Sequence, residues 1–213
     1  QRELYRARAQ RLAMQLARQR EDEFRDSRLQ VLSEITRLRQ LCCGPGLLYE
    51  GYHSPAAKVE LCMELLKNAL EGGHRVLVFS QFTSMLEILV QRMQQENISC
   101  CVLNGSTSKE DRAKLVERFQ KEEVPVFCIS LKAGGTGLNL TAADMVIHFD
   151  PWWNAAVENQ ATDRAHRIGQ KQVVTVYRLI AKNTIEEKIL KLQEAKKELA
   201  QQVLSGDELK SAS

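Results

Sequence analysis

Two arginines, Arg164 and Arg167, stand three residues apart in the segment QATDRAHRIGQ at residues 160–170. On a helix this spacing places both side chains on one face, where they can converge on one target. Two guanidinium groups held together suit the negative charge that builds up on a phosphoryl group during its transfer. The alternative is a pair of surface salt bridges. The spacing therefore leaves two interpretations open, a phosphoryl-transfer site and an ordinary charged surface.

A second candidate is the glycine-rich segment LKAGGTGLN at residues 131–139. Its three glycines allow the backbone to approach a phosphate closely, while Lys132 supplies one positive charge. The segment is not a P-loop, because the Gly-Lys-Ser/Thr ending is missing. A tight turn without any ligand remains the alternative.

Two further features could contact a polyanion. The segment NGSTS at residues 104–108 combines glycine with small hydroxyl residues before a predicted helix, and such a segment offers donors to a backbone phosphate. The alternative is simple capping of that helix. Trp152 and Trp153 are the only tryptophans of the chain. One can serve as a wedge or stacking platform while the other is buried, or both can belong to the core.

The elements that carry these segments alternate between strand and helix from residue 75 onward. Strands are predicted at 75–80, 98–103, 125–130, 144–149 and 173–180. Helices are predicted at 83–96, after a capping box at Thr107-x-x-Glu110, at 154–166, and after a second capping box at Thr184-x-x-Glu187. Single helices between strands require right-handed crossovers and a parallel sheet with helices on both faces. Ligands of such sheets bind at the carboxyl ends of the strands.

The two ends of the chain are predicted to be helical. Residues 1–41 contain no Gly or Pro and are expected to form a helix that the segment CGPG at 43–46 ends. Ser54-Pro55 is predicted to begin the next helix as its cap and first-turn proline. The final helix is expected to pack back on the rest of the chain through an apolar stripe formed by Ile185, Ile189, Leu192 and Leu199.

Composition limits the partners and the compartment. The formal net charge is +3, and residues 1–40 contain ten arginines against six acidic residues. This is typical of a solvated basic helix face, and a polyanionic partner is the alternative. The six cysteines show no Cys-x-x-Cys spacing and mostly lie in apolar runs, so we expect buried thiols, no metal site and a reducing intracellular compartment. No apolar run is long enough to cross a membrane. Because the chain starts without Met, we expect a piece of a longer protein.

Taken together, the segments resemble the second RecA-like lobe of the Swi/Snf (Snf-two) family of helicase superfamily two. The resemblance rests on RVLVFSQFTSMLEIL (75–89), LNGSTSKEDRAKLVERF (103–119), ISLKAGGTGLNLTAADMVIHFDPWWN (129–154) and QATDRAHRIGQ (160–170). LRQLCCGP (38–45) is similar to the motif before the lobe, and KNTIEEKILKLQEAKKELA (182–200) to the family's C-terminal brace helix. Ala155 stands where many relatives have Pro, at a predicted helix N-terminus that accepts either residue.

The resemblance implies an α/β fold, a RecA-like three-layer sandwich with a parallel sheet, an N-terminal helical extension and a C-terminal brace helix. Residues 1–54 would form the extension and linker, 55–182 the lobe, and 183–213 the brace helix and tail. Arg164 and Arg167 would act as arginine fingers on ATP. The nucleotide cleft would also include Gly137, Asn139 and Gln160. The track of the DNA backbone would be lined by Ser80, Gln81, Gly105, Ser106, Thr107, Lys132 and Trp153.

The family's partners follow from the same resemblance. They are double-stranded DNA, along which the family translocates while it remodels protein–DNA complexes, and the N-terminal RecA-like lobe of the same protein. That lobe would hold most of the ATP and Mg²⁺, because neither Gly-x-x-x-x-Gly-Lys-Ser/Thr nor Asp-Glu-x-His occurs in this sequence. The chain alone is therefore predicted to be inactive.

Two other functions stay open. One is a nucleic-acid or protein binding module without catalysis, and the other is an RNA helicase lobe, although the Trp-Trp-Asn and DRAHRIGQ forms favour the Swi/Snf family. The short loops favour a bacterial protein of the cytoplasm or nucleoid; a eukaryotic relative would be nuclear.

Overall fold

A computed structural model describes residues 1–18, 24–52, 54–133 and 138–211. Its centre is a five-stranded sheet with the order β2-β3-β1-β4-β5, in which each described pair of neighbours is parallel. The strands are β1 (Val76–Ser80), β2 (Cys100–Leu103), β3 (Val126–Ser130), β4 (Met145–His148) and β5 (Thr175–Arg178). The predicted parallel sheet is confirmed, and β1 and β3 are buried along their whole length.

Helices cover both faces of the sheet. They are α1 (Arg2–Arg18), α2 (Phe24–Cys43), α3 (Ala57–Glu71), α4 (Thr83–Gln95), α5 (Lys109–Gln120), α6 (Ala155–Thr162) and α7 (Ile185–Ser211). Alternate residues of β1 point to opposite faces: Val78 packs with α3 and α4, and Phe79 packs with α5 and α6. The result is the expected three-layer α/β/α sandwich.

Local patterns explain why several elements form where they do. The buried face predicted for α4 is confirmed, since its buried residues are Met85, Leu86, Leu89 and Met93. Helix α3 ends at Glu71 with Gly72 as its C-cap, and the next residue, Gly73, has a φ of 77°, which glycine adopts without a steric penalty. Continuous apolar runs form the central strands, because helices cover both faces of a parallel sheet.

The N-terminal region is not one helix but two. Helices α1 and α2 pack antiparallel: Gln1 Nε2 donates to the carbonyl oxygen of Leu41 at 2.8 Å, and Arg8 Nε pairs with a Glu34 oxygen at 2.9 Å. The prediction of a continuous helix was wrong here, because uniform helix propensity carries no information about where a polar helix folds back on itself. Residues 19–23, between the two helices, lie outside the described residues.

Two helix starts also differ from prediction. The cap of α5 is Ser108, whose Oγ accepts from Asp111 N at 3.1 Å, one residue after the predicted Thr107. The hydroxyl of Thr107 instead accepts from Asn104 N at 3.1 Å, within the preceding turn. Helix α3 begins after Ala56 rather than at Ser54. At α5 a neighbouring hydroxyl residue satisfies the capping pattern equally well, whereas α3 begins after an alanine that makes no side-chain cap hydrogen bond.

The last helix is held through a polar face. The hydroxyl of Thr184 accepts from Glu186 N at 3.1 Å, which confirms the predicted start. Ile189 is fully buried, but Leu192 is 41% and Leu199 is 62% exposed, so the predicted apolar stripe is wrong beyond Ile189. The buried face continues through Glu186 and Gln193, which find polar partners in the lobe.

All six cysteines are free thiols, five of them buried and Cys100 partly so, as expected of small core side chains. Burial raises the pKa of the Cys62 thiol to about 12. Among the described helices, none combines the length and apolar character that crossing a membrane requires.

Candidate nucleotide and nucleic-acid site

The loops singled out in the sequence lie at one edge of the molecule. Because the strands run parallel, the loops after β1, β2, β3 and β4 all leave the carboxyl edge of the sheet. The backbone ties two of them together: Leu131 N donates to the carbonyl oxygen of Ser80 at 3.0 Å. The fold therefore brings most of the predicted site residues to a common edge.

Ser80 and Gln81 lie beneath that edge rather than on it. Both residues are buried, and both bind the carboxylate of Asp150, which follows β4. Ser80 Oγ donates to one carboxylate oxygen, and Gln81 N donates to the other at 3.2 Å. The Nε2 atom of Gln81 is buried without a hydrogen-bond partner among the described residues. The Ser80 side chain and the Gln81 backbone therefore join the end of β1 to the segment after β4.

The turn after β2 is exposed and is organised by one side chain. Asn104 Oδ1 accepts from Ser106 N at 3.0 Å and from Ser106 Oγ at 2.6 Å. Gly105 and Ser106 are exposed, whereas Thr107 is half-buried. A Cβ atom at Gly105 would meet nothing within 4 Å, and the backbone there does not adopt a positive φ. The fold itself therefore gives no reason for glycine at this position.

The loop after β3 presents its polar residues to solvent. Lys132 and Asn139 are both exposed. Gly137, which was assigned to the nucleotide cleft, lies outside the described residues, as do residues 134–136. The exposed lysine agrees with a surface that could contact a phosphate.

The two arginines do not share a helix face. Helix α6 ends at Thr162, four residues before its predicted end, so Arg164 and Arg167 lie in the turns that follow. The guanidinium group of Arg164 is buried 5.5 Å from the centroid of the Phe79 ring, and burial lowers its pKa. The argument from three-residue spacing is wrong for this pair, because the chain leaves the helix before reaching them.

Arg167 instead lies at the surface. Its NH1 group donates to the carbonyl oxygen of Leu138 at 3.1 Å, which ties it to the loop after β3. It lines an open depression of about 620 Å³ together with Asp163, His166, Ile168, Gln170 and Gln172. Gln160, on α6, is also exposed. The two arginines therefore differ in environment. Arg167 lies at the surface, and Arg164 is buried near the Phe79 ring.

Gln170 is a residue that sequence reasoning missed. Its Nε2 atom lies within hydrogen-bonding distance of three carbonyl oxygens, those of Thr141, Ala143 and Ala165, at 2.8 to 3.1 Å. This amide therefore fixes the turn that carries the arginines. The only signal in the sequence was its place at the end of a segment with an unusual composition.

The tryptophan pair packs beneath a buried arginine. The guanidinium carbon of Arg39, on α2, lies 4.9 Å from the centroid of the Trp153 ring and 5.5 Å from that of Trp152. The same guanidinium donates to the carbonyl oxygen of Pro151 at 3.0 Å. Both tryptophans are half-buried, so the interpretation that both belong fully to the core is wrong.

A buried group of charges lies behind this segment and was not predicted. Lys58 Nζ, on α3, pairs with Glu186 of α7 at 2.6 Å and donates to the carbonyl oxygen of Phe149 at 2.9 Å. Burial raises the pKa of the Asp150 and Glu186 carboxyl groups, and the nearby Lys58 opposes that rise in both. A charged lysine is stable in a buried position only when it is paired. These contacts therefore explain why the buried face of α3 includes Lys58.

Exposed arginines line α1. Arg8 is the one that pairs with Glu34, whereas Arg2, Arg6, Arg11 and Arg18 are exposed. This arrangement is compatible with both interpretations of the basic N-terminal region, a polyanion-binding surface and a solvated helix face.

The fold and this edge define a helicase-type lobe, and comparisons with known proteins agree. Residues 57–169, more than half of the chain, match the family model described as the helicase conserved C-terminal domain. An uncharacterized ATP-dependent helicase of Mycoplasma pneumoniae is 44% identical over 182 residues, which are 85% of this chain and 18% of that protein. The chromatin-remodeling ATPase INO80 of Aspergillus oryzae is 49% identical over 144 residues, 67% of this chain and 10% of that protein.

Solved structures give the same result. The Sulfolobus solfataricus SWI2/SNF2 ATPase C-terminal domain has a TM-score of 0.75 at 33% identity and covers 92% of this chain and 80% of that one. The core of that ATPase in complex with dsDNA has a TM-score of 0.78 at 33% identity, with 96% of this chain and 43% of that one covered. The chain belongs to the SWI2/SNF2 family of ATP-dependent helicases, as a helicase C-terminal domain. It spans about a fifth or less of the curated relatives it matches.

Proposed function

We propose that this chain is the C-terminal motor lobe of an ATP-dependent double-stranded DNA translocase that remodels protein–DNA complexes. In this proposal residues 55–182 form the lobe, 1–54 the extension and linker, and 183–213 the brace helix and tail. The observation that carries the proposal is Arg167, an exposed arginine held at the carboxyl edge of a RecA-like sheet in a chain whose sequence has no phosphate-binding lysine motif. Such an arginine needs a nucleotide that another lobe supplies.

On the nucleotide side, the N-terminal lobe of the same protein would hold most of the ATP and Mg²⁺. Arg167 would reach the transferring phosphoryl group directly, whereas Arg164 would have to turn outward from the Phe79 ring. Asn139 and Gln160, both exposed, and Gly137 would complete this lobe's wall of the cleft. Cations placed where charge develops favour the transition state over bound ATP.

On the DNA side, the exposed groups are those of Lys132, Gly105 and Ser106, with the half-buried Thr107 and Trp153 beside them. Glycine at 105 has no role inside the fold, which supports close approach of a DNA backbone from outside. Ser80 and Gln81 would act from below, through Asp150. The relative of known structure that was solved with dsDNA supports duplex DNA as the partner.

The experiment compares DNA-stimulated ATP hydrolysis with nucleotide and DNA affinity in the full-length protein. Arg167→Ala and Arg164→Ala should each leave both affinities near normal and reduce hydrolysis by roughly 10³- to 10⁵-fold. Arg167→Lys should not restore hydrolysis, because an ammonium group lacks the planar fork of guanidinium. Arg118→Ala is the matched control, since Arg118 is an exposed arginine that pairs with Glu123, and its turnover should be normal.

Two further measurements separate the alternatives. Normal turnover of both arginine variants would favour the binding module without catalysis. Stimulation by duplex RNA in place of duplex DNA would favour an RNA helicase lobe. In the same protein, Lys132→Ala should lower the slope of log affinity against log salt by about 1, as expected from one lost phosphate contact. An unchanged slope would remove Lys132 from the DNA track.

A further inference from the structure

We propose that Gln193 of α7 and Arg39 of α2 are positioning residues that hold the Pro151–Trp153 segment in its DNA-contacting conformation. The inference rests on the proposed DNA contact of Trp153. It assigns to the two helical additions a role in the site itself, beyond packing against the lobe.

The backbone of Trp152 is held on both sides. Trp152 N donates to Glu158 Oε1 at 2.8 Å, and the Trp152 carbonyl oxygen accepts from Gln193 Nε2. Gln193 Nε2 also donates to the same oxygen of Glu158 at 3.1 Å. Gln193 and Glu158 are both buried, and Arg178 pairs with the other carboxylate oxygen of Glu158 at 3.1 Å. One amide of α7 thus closes a small ring around the Trp152 backbone.

Arg39 holds the preceding residue. It donates to the carbonyl oxygen of Pro151 at 3.0 Å, and its guanidinium lies over the Trp153 ring. Its charge is buried. A single side chain therefore fixes both the backbone before the tryptophans and the ring that is proposed to meet DNA.

The pattern extends two residues further back along the chain, to Phe149. The carbonyl oxygen of Phe149 accepts from Lys58 Nζ of α3 at 2.9 Å. Three carbonyl groups of residues 149–152 thus receive buried side-chain donors from three different helices, α3, α2 and α7. The ladder of β4 with its described neighbours ends at His148, and buried carbonyls beyond it require another donor. The donors that the lobe's own strands cannot supply come from the helices around it.

The position of α7 is itself set by the same segment. Lys58, which binds Phe149, also pairs with Glu186, and Glu186 lies seven residues before Gln193 on the buried face of α7. A shift of α7 would therefore move Gln193 away from Trp152. The conformation of the Trp152-Trp153 segment depends on where α7 sits.

The test uses the 213-residue chain, in which Trp152 and Trp153 are the only tryptophans and so report directly by fluorescence. Gln193→Met keeps the length of the side chain and removes the donor. We expect its tryptophan emission to shift to longer wavelength, with stronger quenching by acrylamide, and its affinity for a short DNA duplex to fall by roughly 2- to 10-fold, as for one lost hydrogen bond. Arg39→Lys should act in the same direction, because it retains the charge and loses the planar group.

Glu194→Ala is the control, since Glu194 is the exposed neighbour of Gln193 on the same helix and should change neither signal. All measurements are made well below the melting transition of each variant, so that loss of packing alone does not move them. Unchanged emission and quenching in Gln193→Met would overturn the inference. So would normal DNA affinity in that variant while Trp153→Ala binds weakly. If Trp153→Ala binds DNA normally while the Gln193→Met emission shifts, positioning stands and the proposed DNA role of Trp153 fails.

Discussion

The protonation state of a buried side chain in this lobe depends on its surroundings, and His148 is the clearest case. It lies in β4, almost fully buried, with its ring stacked 5.5 Å from that of Phe79 and its Nε2 atom 2.9 Å from the Thr162 hydroxyl oxygen. Burial, with a smaller effect of the nearby Arg178 charge, lowers its pKa to about 4. A neutral imidazole is therefore part of the folded state at neutral pH.

This makes a prediction about stability and pH. In the unfolded chain His148 takes up a proton near pH 6.5, whereas in the folded chain it does so only near pH 4, so its protonation favours unfolding between these values. The contribution present at pH 7 should be lost as the pH falls, up to roughly 3 kcal/mol in total. Urea unfolding of the wild type and of His148→Asn between pH 7 and pH 4.5 measures it, and the variant should lack this part of the pH dependence.

The exposed His166 offers the matched control. His166→Asn should retain the full pH dependence of the wild type. If His148→Asn and the wild type lose stability in parallel as the pH falls, then His148 titrates normally and is not a buried neutral group.

At the scale of elements, α7 is distinguished by a face that is partly polar and yet buried. Ile189 is fully buried on that face, while Leu199, ten residues later on the same helix, is 62% exposed. Ile189→Ala should therefore lower the free energy of unfolding by about 2–5 kcal/mol, as for other large-to-small core changes. Leu199→Ala should change it by less than about 0.5 kcal/mol. Chemical unfolding of the two variants gives the comparison, and equal losses would mean that α7 does not pack as described.

The strands and the helices next to them were predictable because their signals are local. The runs at Val76–Ser80 and Val126–Ser130 are apolar up to their final serine and buried throughout, as expected of strands covered on both faces. The inward residues of α4 follow the helical period. By contrast, Glu186 and Gln193 are buried although they are polar. Their burial depends on Lys58 and Trp152, which are distant in sequence. No periodicity can contain that information.

The site was predictable in composition but not in geometry. The resemblance identified the segments, and the parallel topology brought them to one edge. The burial of Arg164 over Phe79 and the end of α6 at Thr162 were not visible, since no glycine or proline marks that end before Gly169. The hydrogen bond from Arg39 to the Pro151 carbonyl oxygen, next to the tryptophans, also spans 112 residues of sequence. Such contacts follow from the whole fold.

At the scale of the molecule, the chain contains one wall of a proposed nucleotide site. Phosphoryl transfer needs a phosphate-binding loop, its lysine and a carboxylate for Mg²⁺, and the sequence has none of the motifs that supply them. The 213-residue chain should therefore show no ATP turnover above background, with or without duplex DNA. A phosphate-release assay checks this, with the Arg167→Ala chain as the control for contaminants. DNA-stimulated release by the wild-type chain that disappears in the variant would contradict the prediction.

Helix α1 contacts the first residue of α7, and this has a consequence for the time at which the protein can finish folding. Ile185 N donates to the Tyr5 hydroxyl oxygen at 2.7 Å, across 180 residues of sequence. At synthesis rates of roughly 5–20 residues per second, Tyr5 is made about 9 to 36 seconds before Ile185. Lys58, which is made 128 residues before Glu186, also lacks this buried ionic partner until α7 begins to emerge. A ribosome that pauses before residue 185 therefore holds a nascent lobe in which α1, α2 and the sheet can form. The contacts of Tyr5 and Lys58 with α7 cannot yet form.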